Sequence, residues 1–276
     1  MKTTPPIPFA PLAILLALAV FAFASFSSYA SSATSSANSS SATAAAASAE
    51  EKPNPILAKL GGLVTESMDN MPEVAILDMR EDRGDFKLAS DVAAQMTEMM
   101  RVPFRVKENA EVPAGASPLA AAAALASATN RVAAIILCED GSNSLPLLLA
   151  APEARWAVVN AAPLKAGSPS AAVLESRIRK ELWRAAAFAM GASHSEFPLC
   201  LMKPVFAPAD LDALPVSEIS AEPLSGIRQQ FRALGITPAR KSFYRKACEE
   251  GWAPPPTNDI QRAIWDAAAA KRQKAE

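Results

Sequence analysis

The chain has 276 residues, half of them hydrophobic (50%), with 27 basic against 28 acidic side chains and a formal charge of −1. That balance excludes the broad cationic face on which a nucleic-acid binder depends. The length suits one medium-sized core with appendages rather than a string of domains.

The first element is a leader. Lys2 precedes an apolar run from Leu12 to Ala24, and Ser28 and Ala30 then fit a small-x-small cleavage site. The pattern predicts a signal peptide over residues 1–30 and hence a secreted or periplasmic protein. The run is short for a membrane span, so membrane attachment is expected only if the leader stays uncleaved. Residues 31–49 are almost entirely Ser and Ala, with no periodic apolar face, and predict a flexible tether over 31–52. A folded domain is expected over 53–213 and a proline-broken helical extension over 214–276.

Within the domain, "EVAILDM" (Glu73 to Met79) reads as a buried strand. Leu88, Val92 and Met96 recur at helical spacing between Phe86 and Met100, and Phe104 to Glu108 alternates like a strand after Pro103. Ser117-Pro118 opens an alanine-rich helix running to about Thr129, with Ser as cap and Pro at the first helical position. Two further strands are expected at Arg131–Leu137 and Trp156–Leu164. Ser168-Pro169 is read as the start of the longest helix, which reaches Met190 with Leu174, Ile178, Leu182, Ala185 and Ala189 along one face. Gly191 then stands where a left-handed cap belongs. Beyond Met202, helices are expected from Ser225 to Leu234 and from a Thr257 or Asn258 cap, the latter docking through Ile260, Ile264 and Trp265. Strands alternating with helices predict an α/β fold built on a mixed sheet. Of the three cysteines, Cys138 reads as a core thiol, and Cys200 with Cys248 as a candidate disulfide stapling the tail to the domain.

The stretch "KELWRAAAFAMGASHSEFPLCLM", Lys180 to Met202, carries the functional signal. It contains Gly-x-x-His, with a Cys six residues after the histidine and a Met two further on; His194 is the single histidine of the chain. In H-E-x-x-H-x-x-G-x-x-H, two histidines one helical turn apart bind zinc and the glutamate acts as general base. The glycine turns the chain so that the third histidine reaches the metal. Aligning Gly191 and His194 with the last glycine and histidine puts Arg184, Ala185 and Phe188 at the first His, the Glu and the second His. Lys180-Glu181, Gly191, His194, Cys200 and Met202 stand at offsets that resemble the archaemetzincin family of metzincin zinc metallopeptidases, over roughly residues 72–213.

The resemblance implies a metzincin-like mixed sheet, a long former zinc-site helix, and an edge strand over the cleft, for which Trp156–Leu164 is the candidate. It also marks losses. Ser195 stands where the family has a cysteine, and "PVSEISAEPLSGI" lacks the C-x-x-C that the family's second, four-cysteine zinc site would need. One imidazole is one ligand, and Arg184 brings positive charge to a ligand position. No catalytic residue, no metal and no cofactor is therefore expected by the family's mechanism.

The leading expectation is an exported, catalytically inactive pseudopeptidase that binds a polypeptide or scaffolds an envelope protein, with Phe188 and Met190 forming an apolar cleft floor. The alternative is a metallopeptidase or other hydrolase whose non-standard zinc is held by His194, Cys200 and a carboxylate from Glu139 or Asp140. A third is a structural envelope protein held by its tether. Lys180 and Glu181 read as a solvated helix face or a salt bridge.

Overall fold

The computed structural model describes residues 59–81, 86–108 and 111–273. The leader, the Ser/Ala segment and residues 53–58 lie outside them, so the expectations placed there are not addressed by the fold.

The described chain begins with β1 (Leu63–Thr65) and β2 (Glu73–Asp78), followed by helix α1 (Phe86–Met100), β3 (Phe104–Lys107) and α2 (Pro118–Ser127). It continues with β4 (Arg131–Cys138), β5 (Leu148–Ala151), β6 (Trp156–Asn160) and α3 (Ala171–Ala189). The last elements are α4 (Ala221–Ala233), β7 (Lys241–Phe243), α5 (Tyr244–Glu249) and α6 (Asp259–Gln273). Five strands form a mixed sheet in the order β3-β2-β4-β6-β5, parallel except for β5. The expected α/β class with a mixed sheet is what the chain adopts.

β2 and β4 are apolar at successive positions because helices cover both sides of the sheet. Val74, Ile76, Ile135 and Leu137 point to the side of α1 and α3, while Leu77, Ile136 and Val158 meet Ala121, Ala122 and Leu125 of α2 on the other. Ser117 caps α2 as expected, its Oγ accepting from the Ala120 N–H at 3.3 Å. Helix α3 does not start at Ser168-Pro169. Ser168 has φ 48°, ahead of a proline that disfavours helical backbone in the residue before it, and the cap passes to Ser170, which accepts from the Val173 N–H at 3.4 Å.

The segment Trp156–Leu164 also departs from expectation. Its strand stops at Asn160, a 3-10 turn occupies Pro163–Lys165, and β6 is hydrogen-bonded on both sides. The edge belongs to β5, four residues that fold back antiparallel onto β6.

The C-terminal extension shares the main core: Leu214, Ile227, Phe231 and Ile236 are buried in the cluster that holds Leu182 and Trp183. Helix α4 begins four residues before Ser225, with Pro223 in a first turn whose N–H groups have no helical acceptor in any case. β7 pairs antiparallel with β1, Leu63 opposite Phe243. Asn258 caps α6, its Oδ1 accepting from the Gln261 N–H at 3.0 Å, as expected. Ile264 and Trp265 are half-buried, as docking requires, but Ile260 is exposed, and the buried residue is Gln261, whose Nε2 donates to the Gly61 carbonyl at 2.9 Å. Among the described residues no helix is long and apolar enough to cross a membrane.

Cys138, Cys200 and Cys248 are three separate buried thiols, so the expected Cys200–Cys248 bridge is not formed. Cys200 instead accepts from the backbone N–H groups of Ser220 and Met202, and Cys248 lies in α5. Alkylation in denaturant without reductant is expected to modify all three thiols, read as intact mass; a single modified thiol would restore the bridge.

Candidate functional site

The sequence motif lies on α3 and the turn after it. From Lys180 to Met190 every residue is buried, the charged ones included. The alanines at 185, 186, 187 and 189 let the helix lie close to the sheet, and the segment 195–214 closes over its other side. Backbone carbonyls of that covering segment need donors, and α3 supplies them from a basic row. Arg177 Nη1 donates to the Leu164 and Ala166 carbonyls, while its Nε and Nη2 hold Asp212 at 2.9 and 2.7 Å. Lys180 Nζ donates to Leu211 O at 2.7 Å. Arg184 Nη1 donates to Leu201 O at 2.7 Å and Lys203 O at 2.6 Å. Of the solvated face or salt bridge expected for Lys180 and Glu181, the solvated face is thus corrected: both are buried, Lys180 donating to the covering segment and Glu181 forming a salt bridge with Arg184.

Glu181 is fully buried, and its one charged neighbour is Arg184, with Nε 3.1 Å from Oε1. The contact is an ion pair without hydrogen-bond geometry, since neither carboxylate oxygen receives a hydrogen bond among the described residues. Burial pushes the carboxyl up to about 7, against the opposing pull of the Arg184 charge. Burial also draws the Arg184 guanidinium below its ordinary value, with Glu181 opposing.

Gly191 turns the chain at φ 88°, a conformation that favours glycine, and its N–H closes on Phe188 O at 3.0 Å. The turn brings exposed His194 back beside α3, its ring 4.9 Å from that of Phe188 in an edge-on arrangement. The Arg184 guanidinium lies 5.7 Å from the other end of the contact, the Phe188 ring centre. Arg184, Phe188 and His194 therefore meet, as the motif spacing requires. Ala185 faces the core and takes no part, and Met190, expected in the cleft floor, is buried in the core instead. Met202 is likewise core.

Arg184, Phe188 and His194 line one side of a cleft of about 710 Å³, and Leu148 and Ala150 of β5 line the other. The Asn160 N–H donates to Leu147 O at 3.0 Å, and the register continues with Leu149 opposite Val158 and Ala151 opposite Trp156. In an antiparallel ladder bonded and non-bonded pairs alternate, so Leu148 and Ala150 turn their N–H and C=O groups away from β6, to the open edge. Phe206, which stands 92% exposed, lies at the mouth of the cleft.

No family model matches the chain, and no curated protein does. Solved structures similar to it include a zinc-dependent peptidase from Methanocorpusculum labreanum, at 14% identity and TM-score 0.43, covering 56% of this chain and 99% of that one. An archaemetzincin from Methanopyrus kandleri is 13% identical with TM-score 0.46, covering 60% and 98%. Another from Archaeoglobus fulgidus, complexed with malonate, is 15% identical with TM-score 0.41, covering 56% and 99%. At these values the likeness says nothing about chemistry, which rests on the residues themselves.

Those residues do not fit a catalytic zinc. Of the motif positions only His194 offers a lone pair; Phe188 offers none and Arg184 carries a cation. The alternative set is not assembled either. Among the described residues no group of three His, Cys, Asp or Glu side chains is placed to share a metal ion. Glu139 is paired with Lys165, Asp140 accepts from the Ser142 N–H and the Ser144 hydroxyl, and Cys200 is buried. What does converge is Ser195, Cys200 and Ser220: the two hydroxyls lie 2.8 Å apart, and Cys200 Sγ accepts from the Ser220 N–H at 3.2 Å. Burial alone would raise the Cys200 thiol, but hydrogen bonds from the Ser220 hydroxyl and backbone outweigh it and hold the thiol below its usual value. Two of these three positions are ones at which the family resemblance implies cysteine ligands, and here they form a hydrogen-bonded knot.

Sequence reasoning missed β5, Arg177, Ser220 and Phe206. Arg177, Lys180 and Arg184 recur at i, i+3 and i+7, a spacing that marks one helix face and was legible.

Proposed function

We propose that this chain is an exported pseudopeptidase that holds an extended polypeptide in the cleft beside β5 and does not cleave it by a zinc mechanism. The observation that carries the proposal is a cation, Arg184, fixed by two backbone carbonyls beside an open strand edge. An exposed edge offers main-chain hydrogen bonds to an added strand, whatever its sequence, and the flanking pockets then set preference. Phe188 and Phe206 supply apolar surface for the side chains of such a strand.

Ala150→Pro tests strand addition directly. Proline removes one outward donor and leaves the bonds to β6 in place, a substitution edge strands tolerate. Peptide binding is expected to weaken by roughly tenfold or more while the melting temperature stays near that of the parent. Unchanged binding would show that the edge is not the seat.

Metal content separates this function from hydrolysis. After dialysis against zinc, the purified chain is expected to retain less than about 0.1 zinc per molecule by elemental analysis. Near one zinc per molecule, lost in His194→Ala, would establish the metallohydrolase reading instead.

A further inference from the structure

We infer that the segment held at β5 places an acidic side chain on Arg184 and His194, so that the cleft selects an Asp or Glu within an otherwise apolar extended stretch. The inference rests on the strand-addition reading and names the chemistry of its ligand. Arg184 and His194 are the two ionisable side chains lining the cleft, and both are basic; among the described residues no carboxylate lines it. Arg184 spends Nη1 on Leu201 and Lys203, while Nε faces Glu181, which leaves Nη2 without an acceptor among the described residues. Glu181 sits behind the guanidinium, outside the cleft, and burial holds back its ionisation, so the positive charge is not fully cancelled. His194 Nδ1 donates to Met202 O at 3.3 Å, which leaves Nε2 for a ligand; it donates to a carboxylate when the ring carries both protons. A guanidinium and an imidazole that both contact the Phe188 ring and both line the cleft make a seat for an acidic side chain.

The carboxylate belongs to a side chain rather than to a chain terminus. The cleft wall continues past both ends of β5, to Pro146 and Pro152, so a segment runs through rather than stopping above Arg184. In an added strand, residues two apart face the same side at roughly 7 Å spacing. An acidic residue over Arg184 therefore keeps its second neighbours on the same face, towards a lining in which Phe188 and Phe206 supply apolar surface.

Calorimetric titration of the full chain with three peptides tests this: Ac-AFAEAFA-NH2, its glutamine counterpart Ac-AFAQAFA-NH2, and the glutamine peptide with a free C-terminal carboxylate. The glutamate peptide is expected to bind roughly tenfold or more tighter than the blocked glutamine peptide. His194→Ala, at an exposed position, should narrow that ratio without moving the melting temperature, and Phe206→Ala should weaken both peptides alike. Equal binding of the blocked glutamate and glutamine peptides would overturn the acidic preference and leave strand addition standing. Tight binding of the free-carboxylate glutamine peptide would move the anchor to a chain terminus and also overturn it. No heat from any peptide up to about 1 mM would remove both.

Discussion

Arg184→Met is expected to cost about 3–5 kcal/mol of stability at pH 8, because buried Glu181 must then either stay charged without its partner or hold a proton that the unfolded chain has lost. It also strips the donor from Leu201 O and Lys203 O. Pairing it with Glu181→Leu should recover most of the loss, since replacing both members of a buried pair with packed apolar groups is close to neutral. The pH dependence has a defined sign. The carboxyl of Glu181 is raised from 4.5 to about 7 in the folded chain. Below pH 4.5 the group is protonated in both states and costs nothing; as pH rises towards 7 the unfolded chain loses its proton first, and stability falls. The shift corresponds to about 3 kcal/mol across that window in the parent protein. In Arg184→Met the opposing cation is gone, so the window extends above pH 7 and the variant is least harmed in acid. Urea melts at pH 5 and pH 8 read both effects. A single variant within about 1 kcal/mol of the parent at both pH values would mean that the pair is not a stability element.

Gly226→Ala should be the other severe change. A β-carbon there would come within 2.4 Å of Gly191 O, 3.3 Å of Gly191 C and 3.5 Å of Ala192 Cα. All three are main-chain atoms, with no side chain to swing aside, so α4 must move off the turn. Overpacking of this kind costs about 1–3 kcal/mol or more, which exceeds the ~1 kcal/mol that alanine gains over glycine within a helix. A fall in melting temperature of roughly 6 °C or more is expected for about 3 kcal/mol in a chain of this size. Gly141→Ala, with open space around it, is the control and should change little. A rise in the melting temperature of Gly226→Ala would mean that helix propensity outweighs the contact. The contact also gives Gly191 work that has no connection with a metal: its turn is the surface on which α4 rests.

The parts of the fold that were legible are those whose burial is declared locally. "VAIL" and "VAAIILC" are apolar at every position, as a strand covered on both faces must be, and α3 repeats its apolar residues at helical spacing. β5 was not legible, because four half-buried residues beside a proline are too short for either period to show. The motif spacing did place Arg184, Phe188 and His194 together. It could not show that Lys180, Glu181 and Arg184 are buried, since charges on a helix ordinarily face water, and here the deciding groups are carbonyls 17 to 31 residues downstream. Ser220 joins Cys200 only through the path of the covering segment, which no local pattern encodes.

The pairing of β1 with β7 sets an order of assembly. Leu63 to Thr65 find their partners at Lys241 to Phe243, the Glu66 carboxylate meets Arg240 at 2.7 Å, and Gly61 O waits for the side chain of Gln261. A chain made from its N-terminus therefore delivers residues 61–66 long before their partners exist. The five-stranded sheet between them can close on its own schedule, while the small two-stranded sheet is completed last, by contacts spanning nearly the whole folded length. Such distant closures are slow to form. Until the final helix arrives, residues 61–66 lack the groups they pair with, and synthesis that stops short of residue 240 leaves that short strand without its partner.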